Sequence, residues 1–501
     1  MDSSQIHGAG RCLVDRSLDE PPLEVNGSDG NYLYLSNSQM IFDATGGAAV
    51  ACLGHGNQEV IQAITDQLWV NTYCNSMVFT TKVATQLADE IIAGTGNLMS
   101  RVYICSSGSE ATEAAMKMAR QYFMELSPLQ PQRTKYIARE HSYHGNTLGA
   151  LALSGHLGRR ETYCPILSDN ISWVSACNPY RQRLPYESDP DFVARKAIEL
   201  DAEFQRLGPD TVIGFVCEPI SGAALGCIPY VHGYLPAMKA VCRKYGALFI
   251  LDETMCGMGR SGNLHAWQGE HVDGDLGQDC LPDLQMIGKG LGGGYQPIAG
   301  VIVGKEVIAV VESGTGGFNH GQTYQAHPVA CAASLAVQRI IRREGLLSNV
   351  QKRGLYLSQL LRNKLCSHPN VGDIRGKGLF WGIEFVRDKV TKVPFHKALN
   401  VASTISEMAL KDFNITLYPG QGTVNGVDGD HVIVAPAYSI ARDAVDYIVH
   451  QLVLAVDTFF LRQVWESELG GELGKEPEGV LEGDERVFED RMLYGDVYPA
   501  S

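Results

Sequence analysis

The sequence is short of positive charge. Its 501 residues hold 41 lysines and arginines against 56 aspartates and glutamates, a formal net charge of −15. That balance excludes a general affinity for nucleic acid or an anionic membrane. Much of the surplus is terminal: from Trp465 onward there are eleven acidic and three basic residues. Paired cysteines are also missing. Thirteen are scattered singly from Cys12 to Cys366, no Cys-x-x-Cys occurs, and Cys105, Cys217, Cys227 and Cys256 lie in apolar or glycine-rich runs. Free, often buried thiols in a reducing compartment are expected instead of a disulfide framework. The start, Met-Asp-Ser-Ser-Gln-Ile-His, carries neither a basic n-region nor an apolar h-region. No uninterrupted apolar run is long enough to span a bilayer. Together these absences point to a cytoplasmic protein.

What the sequence does have is length and alternation. With 45% hydrophobic residues over 501 positions it can build two or three structural units. Asn31–Asp43 alternates like a hairpin, and Glu59–Trp69 and Thr80–Ile92 carry helical spacing. Further on, Arg101–Cys105, Lys135–Ala138, Val212–Cys217, Ala247–Leu251, Leu284–Ile287 and Ile298–Val303 read as strands. They alternate with helical runs such as Ser109–Tyr122, Gly233–Tyr245 and Ala326–Arg343. This predicts an α/β fold, a mostly parallel sheet covered by helices on both faces. Near Leu346 the texture changes. A helix, strands within Val371–Phe385, helix Lys397–Phe413 and strand His431–Ala435 predict a smaller α+β domain. The expected division is an N-terminal segment (1–75) belonging with the small domain, a large domain (76–345), the small domain (346–462) and an acidic, loosely ordered extension (463–501). The polar stretch Glu270–Leu281 reads as a surface loop.

Ligands of open α/β sheets bind beyond the carboxyl ends of the strands. Four strand ends here carry suggestive residues. Arg101–Cys105 runs into Ser106, Ser107, Gly108 and Ser109 and then a helix, whose N-terminal N–H groups suit a phosphate. An ordinary serine cap with Glu110 or Glu113 is the plainer reading of that stretch. Ala247–Leu251 delivers Asp252 and Glu253, and Val212–Cys217 ends in Glu218. Leu284–Ile287 ends in Gly288-Lys289-Gly290, where enclosure would lower the lysine pKa and free its amine for imine formation. A lone lysine is more often a surface charge. Other motifs fail their context. Gly257–Gly262 fits G-x-G-x-x-G, but Asn263–Gly269 does not open a helix. No Walker A sequence occurs, and no carboxylate or cysteine cluster joins His141 and His144, so no metal site is expected.

The ordered set decides. SSGSEATEAAMKMAR (106–120), HSYHGNTLGAL (141–151), CEPI (217–220), LDETMCGMGRSG (251–262) and MIGKGLGGGYQPIAGVIV (286–303) follow one another, with GQTYQAHPVACAAS (321–334) and IRGKGLFWGIEF (374–385) behind them. From about Asn31 to Ala435 the sequence resembles the class III aminotransferases, the ornithine and ω-amino acid type, of fold type I. The resemblance implies a seven-stranded, mostly parallel sheet, pyridoxal 5'-phosphate as cofactor and a homodimer. It implies that Lys289 forms the Schiff base and shuttles the substrate proton, and that Asp252 pairs with the protonated pyridine nitrogen. Ser107, Gly108 and Ser109 would hold the phosphate, Tyr143 would stack on the ring, and Glu218 and Thr254 would join the cofactor-binding set. Thr323 would reach the phosphate of the neighbouring subunit. Trp69, Ser76 and Phe79 are candidates for substrate contact. Tyr143 as a core aromatic and Glu218 in a salt bridge are the plainer alternatives for those two.

Two departures from the family bear on chemistry. Thr254 and Met255 stand where most members have Val-Gln, and methionine cannot donate the glutamine's hydrogen bond to the ring hydroxyl. His431–Pro436 contains no arginine where relatives using α-amino acids carry a carboxylate clamp. An ω-amino acid, an amine or a bulky specialised donor is therefore expected, with pyruvate or 2-oxoglutarate as acceptor and ping-pong kinetics. The alternatives are another outcome on the same cofactor (decarboxylase, aminomutase or phospho-lyase) and a non-catalytic scaffold. The presence of both Lys289 and Asp252 argues against the last.

Overall fold

Seven apolar runs pair into the central sheet: β1 (Met99–Cys105), β2 (Lys135–Arg139), β3 (Ile171–Val174), β4 (Val212–Cys217), β5 (Leu248–Asp252), β6 (Leu284–Ile287) and β7 (Ala299–Gly304). Their order is β1-β7-β6-β5-β4-β2-β3. Only β7 runs antiparallel to its neighbours, β6 and β1; every other pair is parallel. Parallel pairs need crossovers, which the intervening helices supply. The computed structural model describes residues 12–17, 21–270 and 278–470. Most of the expected loop Glu270–Leu281 and the acidic extension from residue 471 onward lie outside the described residues.

The sheet buries a core on each face, and a register shift after Val212 breaks the alternation of β4, so that residues three apart share a core. Ile213, Val216, Leu248 and Ile250 point to one face, where helix α1 (Gly108–Glu125) packs Ala111, Ala114, Ala115, Met118 and Phe123. Val212, Phe215, Phe249 and Leu251 point to the other, under helices α2 (Asp189–Leu207) and α3 (Tyr234–Lys244). Covered on both faces, β4 and β5 are buried at every position, as the central strands of a parallel sheet must be. Strand β3 was not expected. It is four residues long and bonds only to β2 at the sheet edge, so its alternation is too short to register.

The second sheet is antiparallel, in the order β8 (Val371–Gly376), β9 (Trp381–Phe385), β11 (Asp430–Val434), β10 (Tyr418–Gln421). Strand β10 is the part of it that carries no strand pattern in sequence, because it contains Pro419 and Gly420. The N-terminal run forms three antiparallel strands, Val25–Asp29, Tyr32–Leu35 and Met40–Phe42. Phe42 then bonds through its backbone to Asn414 and Thr416, and Ala44 to Ala435.

The described residues up to Val456 form one compact unit. Helix α4 (Arg442–Gly470) enters it with Val445, Ile448, Val449, Leu452, Ala455 and Val456 buried at three- and four-residue spacing. By length and composition its span Arg442–Arg462 is apolar enough to cross a membrane, and half of that window is buried in the protein.

The two sheets meet at the turn 222–226. A Cβ on Gly382 of β9 would fall 2.2 Å from the Gly226 carbonyl oxygen, so only glycine lets β9 lie this close. Arg375 of β8 bonds the Leu225 and Gly226 carbonyls and pairs with Glu384 of β9, which Arg181 also holds. Gly382→Ala is expected to cost about 1–3 kcal/mol through backbone displacement. It should lower the urea midpoint with the transition slope unchanged.

Candidate active site

The residues that follow β1, β2, β4, β5 and β6 converge on one cavity of about 180 Å³. The sheet end supplies its floor. Asp252, last residue of β5, faces the cavity, while its neighbour Glu253 turns away and caps the following turn through the Ala266 and Trp267 N–H groups. Asp252 Oδ1 accepts from the Thr254 N–H at 3.0 Å, and Oδ2 lies 2.8 Å from His144 Nδ1. With Asp252 ionised, Nδ1 carries the proton and donates it. Backbone bonds lock His144 itself: its N–H donates to Ser154 Oγ, and its carbonyl accepts from Thr112 Oγ1. Set aside as a metal ligand in the sequence, His144 here supports Asp252, a pairing that no local pattern disclosed because the two lie 108 positions apart.

Lys289 opens the turn after β6 with φ of 45°, a left-handed backbone that costs a lysine energy. Its flanking glycines have steric reasons. A Cβ on Gly288 would sit 3.0 Å from Thr254 Cγ2, and one on Gly290 would sit 3.0 Å from the Tyr438 hydroxyl. The enclosed amine faces the cavity and keeps its remaining solvent access there. Burial pushes its pKa down to about 8, against the opposing pull of Asp252 and Glu218. About a tenth of the groups are then neutral at pH 7, against on the order of one in a few thousand for a solvated lysine.

The cradle after β1 divides its labour. Ser107 is the cap, accepting from Glu110 N–H while Glu110 accepts from Ser106 and Ser107 N–H. The plainer reading of that serine holds, and it does not line the cavity. Gly108 and Ser109 do, with the first two N–H groups of α1 free of partners in their own helix. A Cβ on Gly108 would meet Thr254 Cγ2 at 2.7 Å.

Tyr143 and Glu218 also line the cavity. The Glu218 carboxylate accepts from Tyr143 N–H, Ser221 Oγ and Gly222 N–H, and Arg139 bonds its carbonyl rather than its carboxylate. Burial raises its pKa. Met255 packs with Ile220, Ala223, Cys227, Phe380 and Ala49 into an apolar wall. The Ala49 contribution was invisible in sequence, because it needs the N-terminal segment folded back. Thr323, Ser76, Trp69 and Phe79 do not line the cavity; Trp69 is 88% exposed and Phe79 62%.

A buried amine, a carboxylate fixed by a histidine, a helix N-terminus and an aromatic ring around one cavity define a pyridoxal-phosphate transferase on an open α/β sheet. The residues fit that cofactor. Besides the amine, the wall carries two buried polar atoms without a partner, His144 Nε2 and Thr254 Oγ1, and a bare Gly108 where a phosphate would approach. The chain belongs to the class III aminotransferases: the family described as Aminotransferase class-III matches residues 13–456. It is 48% identical to an aminotransferase of Gibberella zeae over 91% of this chain and 87% of that one. It is 33% identical to the diaminobutyrate–2-oxoglutarate transaminase of Halomonas elongata, over 88% and 91%. The omega transaminase of Pseudomonas jessenii, solved in complex with PMP, superposes with a TM-score of 0.80 at 29% identity, over 87% and 92%.

Two outcomes follow. The apoprotein should take up pyridoxal phosphate faster as pH rises and level off above about 8, where Lys289 is neutral; stopped-flow absorbance reads this. His144→Ala, which leaves Asp252 unsupported, should keep the fold by circular dichroism yet lower kcat by about ten-fold or more, the order seen when an orienting partner is removed.

Proposed function

We propose that the donor is an ω-amino acid, an amine or a bulky specialised amine, that pyruvate or 2-oxoglutarate is the acceptor, and that two copies form the working enzyme in the cytoplasm. One observation carries the donor class: Lys289 is the only cation among the described residues lining the cavity. An α-carboxylate beside the reacting carbon would find no guanidinium there, only Asp252 and Glu218. Strand β11, which corresponds in sequence to the stretch that carries the clamp in relatives using α-amino acids, holds His431 and Val434 there instead, both buried. Relatives named diaminobutyrate–2-oxoglutarate transaminase and gamma-aminobutyrate transaminase carry donors of this kind in their names.

When bound, pyridoxal phosphate supplies an electron sink for the carbon that bears the nitrogen. The chain does the rest. Gly108 and Ser109 N–H groups would hold its anionic end, Tyr143 would fix its plane, and Asp252, kept in place by His144, would pair with its ring nitrogen. The Lys289 amine would take and return the proton at the substrate carbon, which a pKa near 8 permits in both directions. The apolar wall of Ile220, Ala223 and Met255 keeps water from competing for it.

A second copy is supported by the exposed run Leu68–Val70 and Met77–Phe79, in which Trp69, Met77 and Val78 are 88%, 90% and 71% exposed. Exposed apolar side chains in such number serve protein contacts, and Thr323, also exposed, would reach the other copy's phosphate site. The deciding experiment is an absorption spectrum of the holoenzyme with a panel of ω-amino acids, amines and α-amino acids. The visible band should collapse with the first two classes, return with pyruvate or 2-oxoglutarate, and never form in Lys289→Ala. A band that persists with every donor would favour a decarboxylase, aminomutase or phospho-lyase outcome.

A further inference from the structure

We propose that Arg159 binds the carboxylate of the substrate at the mouth of the cavity, so that the preferred substrates carry an anionic group remote from the reacting nitrogen. The inference rests on the transaminase reading above and names what that site selects. The charge map of the site comes first. Asp252 and Glu218 make the floor anionic, the helix N-terminus of α1 is reserved for the cofactor phosphate, and Lys289 is committed to the chemistry. A substrate carboxylate, repelled by the floor and left without an uncommitted cation there, must point outward.

Beside the cavity wall stands Arg159. Its guanidinium lies over the ring of Tyr143, 4.7 Å from the centroid, and Tyr143 is a cavity wall. The residue is exposed, and among the described residues no carboxylate pairs with it. Arg16 adds positive potential at the same tyrosine. The next residue makes a contrast: Arg160 is buried, its guanidinium 4.2 Å over the Trp173 ring. One arginine of the pair anchors the turn, and the other is left for the cavity mouth.

The turn that presents Arg159 is held from both sides. Gly158 N–H donates to the Gly426 carbonyl at 3.0 Å, and His156 Nε2 donates to the Gln421 carbonyl at 3.0 Å. A Cβ on Gly158 would come within 3.1 Å of that Gly426 oxygen, so the approach of the two loops depends on a bare glycine. The backbone is thus fixed while the long side chain keeps its reach. A guanidinium parked on an aromatic face is also partly desolvated, which strengthens a charge-assisted bond to an incoming carboxylate.

The test uses the holoenzyme and two donors of equal length, 5-aminopentanoate and pentylamine, in single-turnover half-reactions that follow loss of the visible band. Arg159→Gln should reduce the ratio of kcat/KM for the acid over the amine at least ten-fold, and Arg159→Lys should restore part of it. Calorimetric binding of glutarate, which cannot react, should weaken at least ten-fold in Arg159→Gln. An unchanged ratio with unchanged glutarate affinity would overturn the assignment. So would an equal loss on both donors with a shifted cofactor spectrum, which would make Arg159 only a support for Tyr143. A wild type that consumes neither donor would sink the transaminase reading instead, and the glutarate affinities alone would then decide Arg159.

Discussion

A lysine ammonium gives up several kcal/mol of hydration when it is enclosed, and the loops around Lys289 are built so that this loss falls on the charged form. Gly288 and Gly290 allow Thr254 and Tyr438 to close on the lysine backbone, and the left-handed turn aims the side chain into the cavity. Two carboxylates nearby temper the effect, leaving the pKa at about 8 rather than far lower. The same carboxylates need control of their own. Asp252 receives it from His144 and the Thr254 N–H, and Glu218 from three donors in its own wall. Enclosing one amine therefore determines much of what surrounds it.

The second sheet completes the enclosure at a distance. Its strand β9 lies against the turn that carries Ala223 and Gly226, and Arg375 bonds two carbonyls of that turn. The buried Arg181–Glu384–Arg375 group compensates charges that would otherwise be costly to bury. Phe380, just before β9, and Ile433 of β11 meet Met255 and Ala49 in the apolar wall. Met255, which cannot replace a glutamine as a donor, is in this setting a packing residue.

Electrostatics then separates the ends of the cavity. The floor is acidic, the α1 end attracts an anion through its N–H groups, and the guanidinium of Arg159 stands outside Tyr143. Amine chemistry at the floor and anion recognition at the mouth are compatible because Tyr143 stands between them.

Local pattern was enough for the strands that end at the site, because short, fully buried apolar runs such as Val212–Cys217 and Leu248–Leu251, bounded by turn residues, have few other uses. Order along the chain was enough for the family and its cofactor, since seven motifs in sequence leave little room for chance. What escaped was of two kinds. Short or proline-containing edge elements, Ile171–Val174 and Tyr418–Gln421, carry too few residues to show a period. Contacts between distant positions left no local trace: His144 with Asp252, Ala49 with Met255, Gly382 with Gly226, Arg159 with Tyr143. The sequence by itself determined the sheet, the lysine, the aspartate and the family, because those follow from periodicity and from motifs fixed along the chain. Tertiary structure alone decided which serine caps and which glycine and serine face the cavity, which histidine supports the aspartate, and where positive charge meets the cavity mouth. Those choices depend on distances between side chains far apart in sequence, and such distances exist only once the chain has folded.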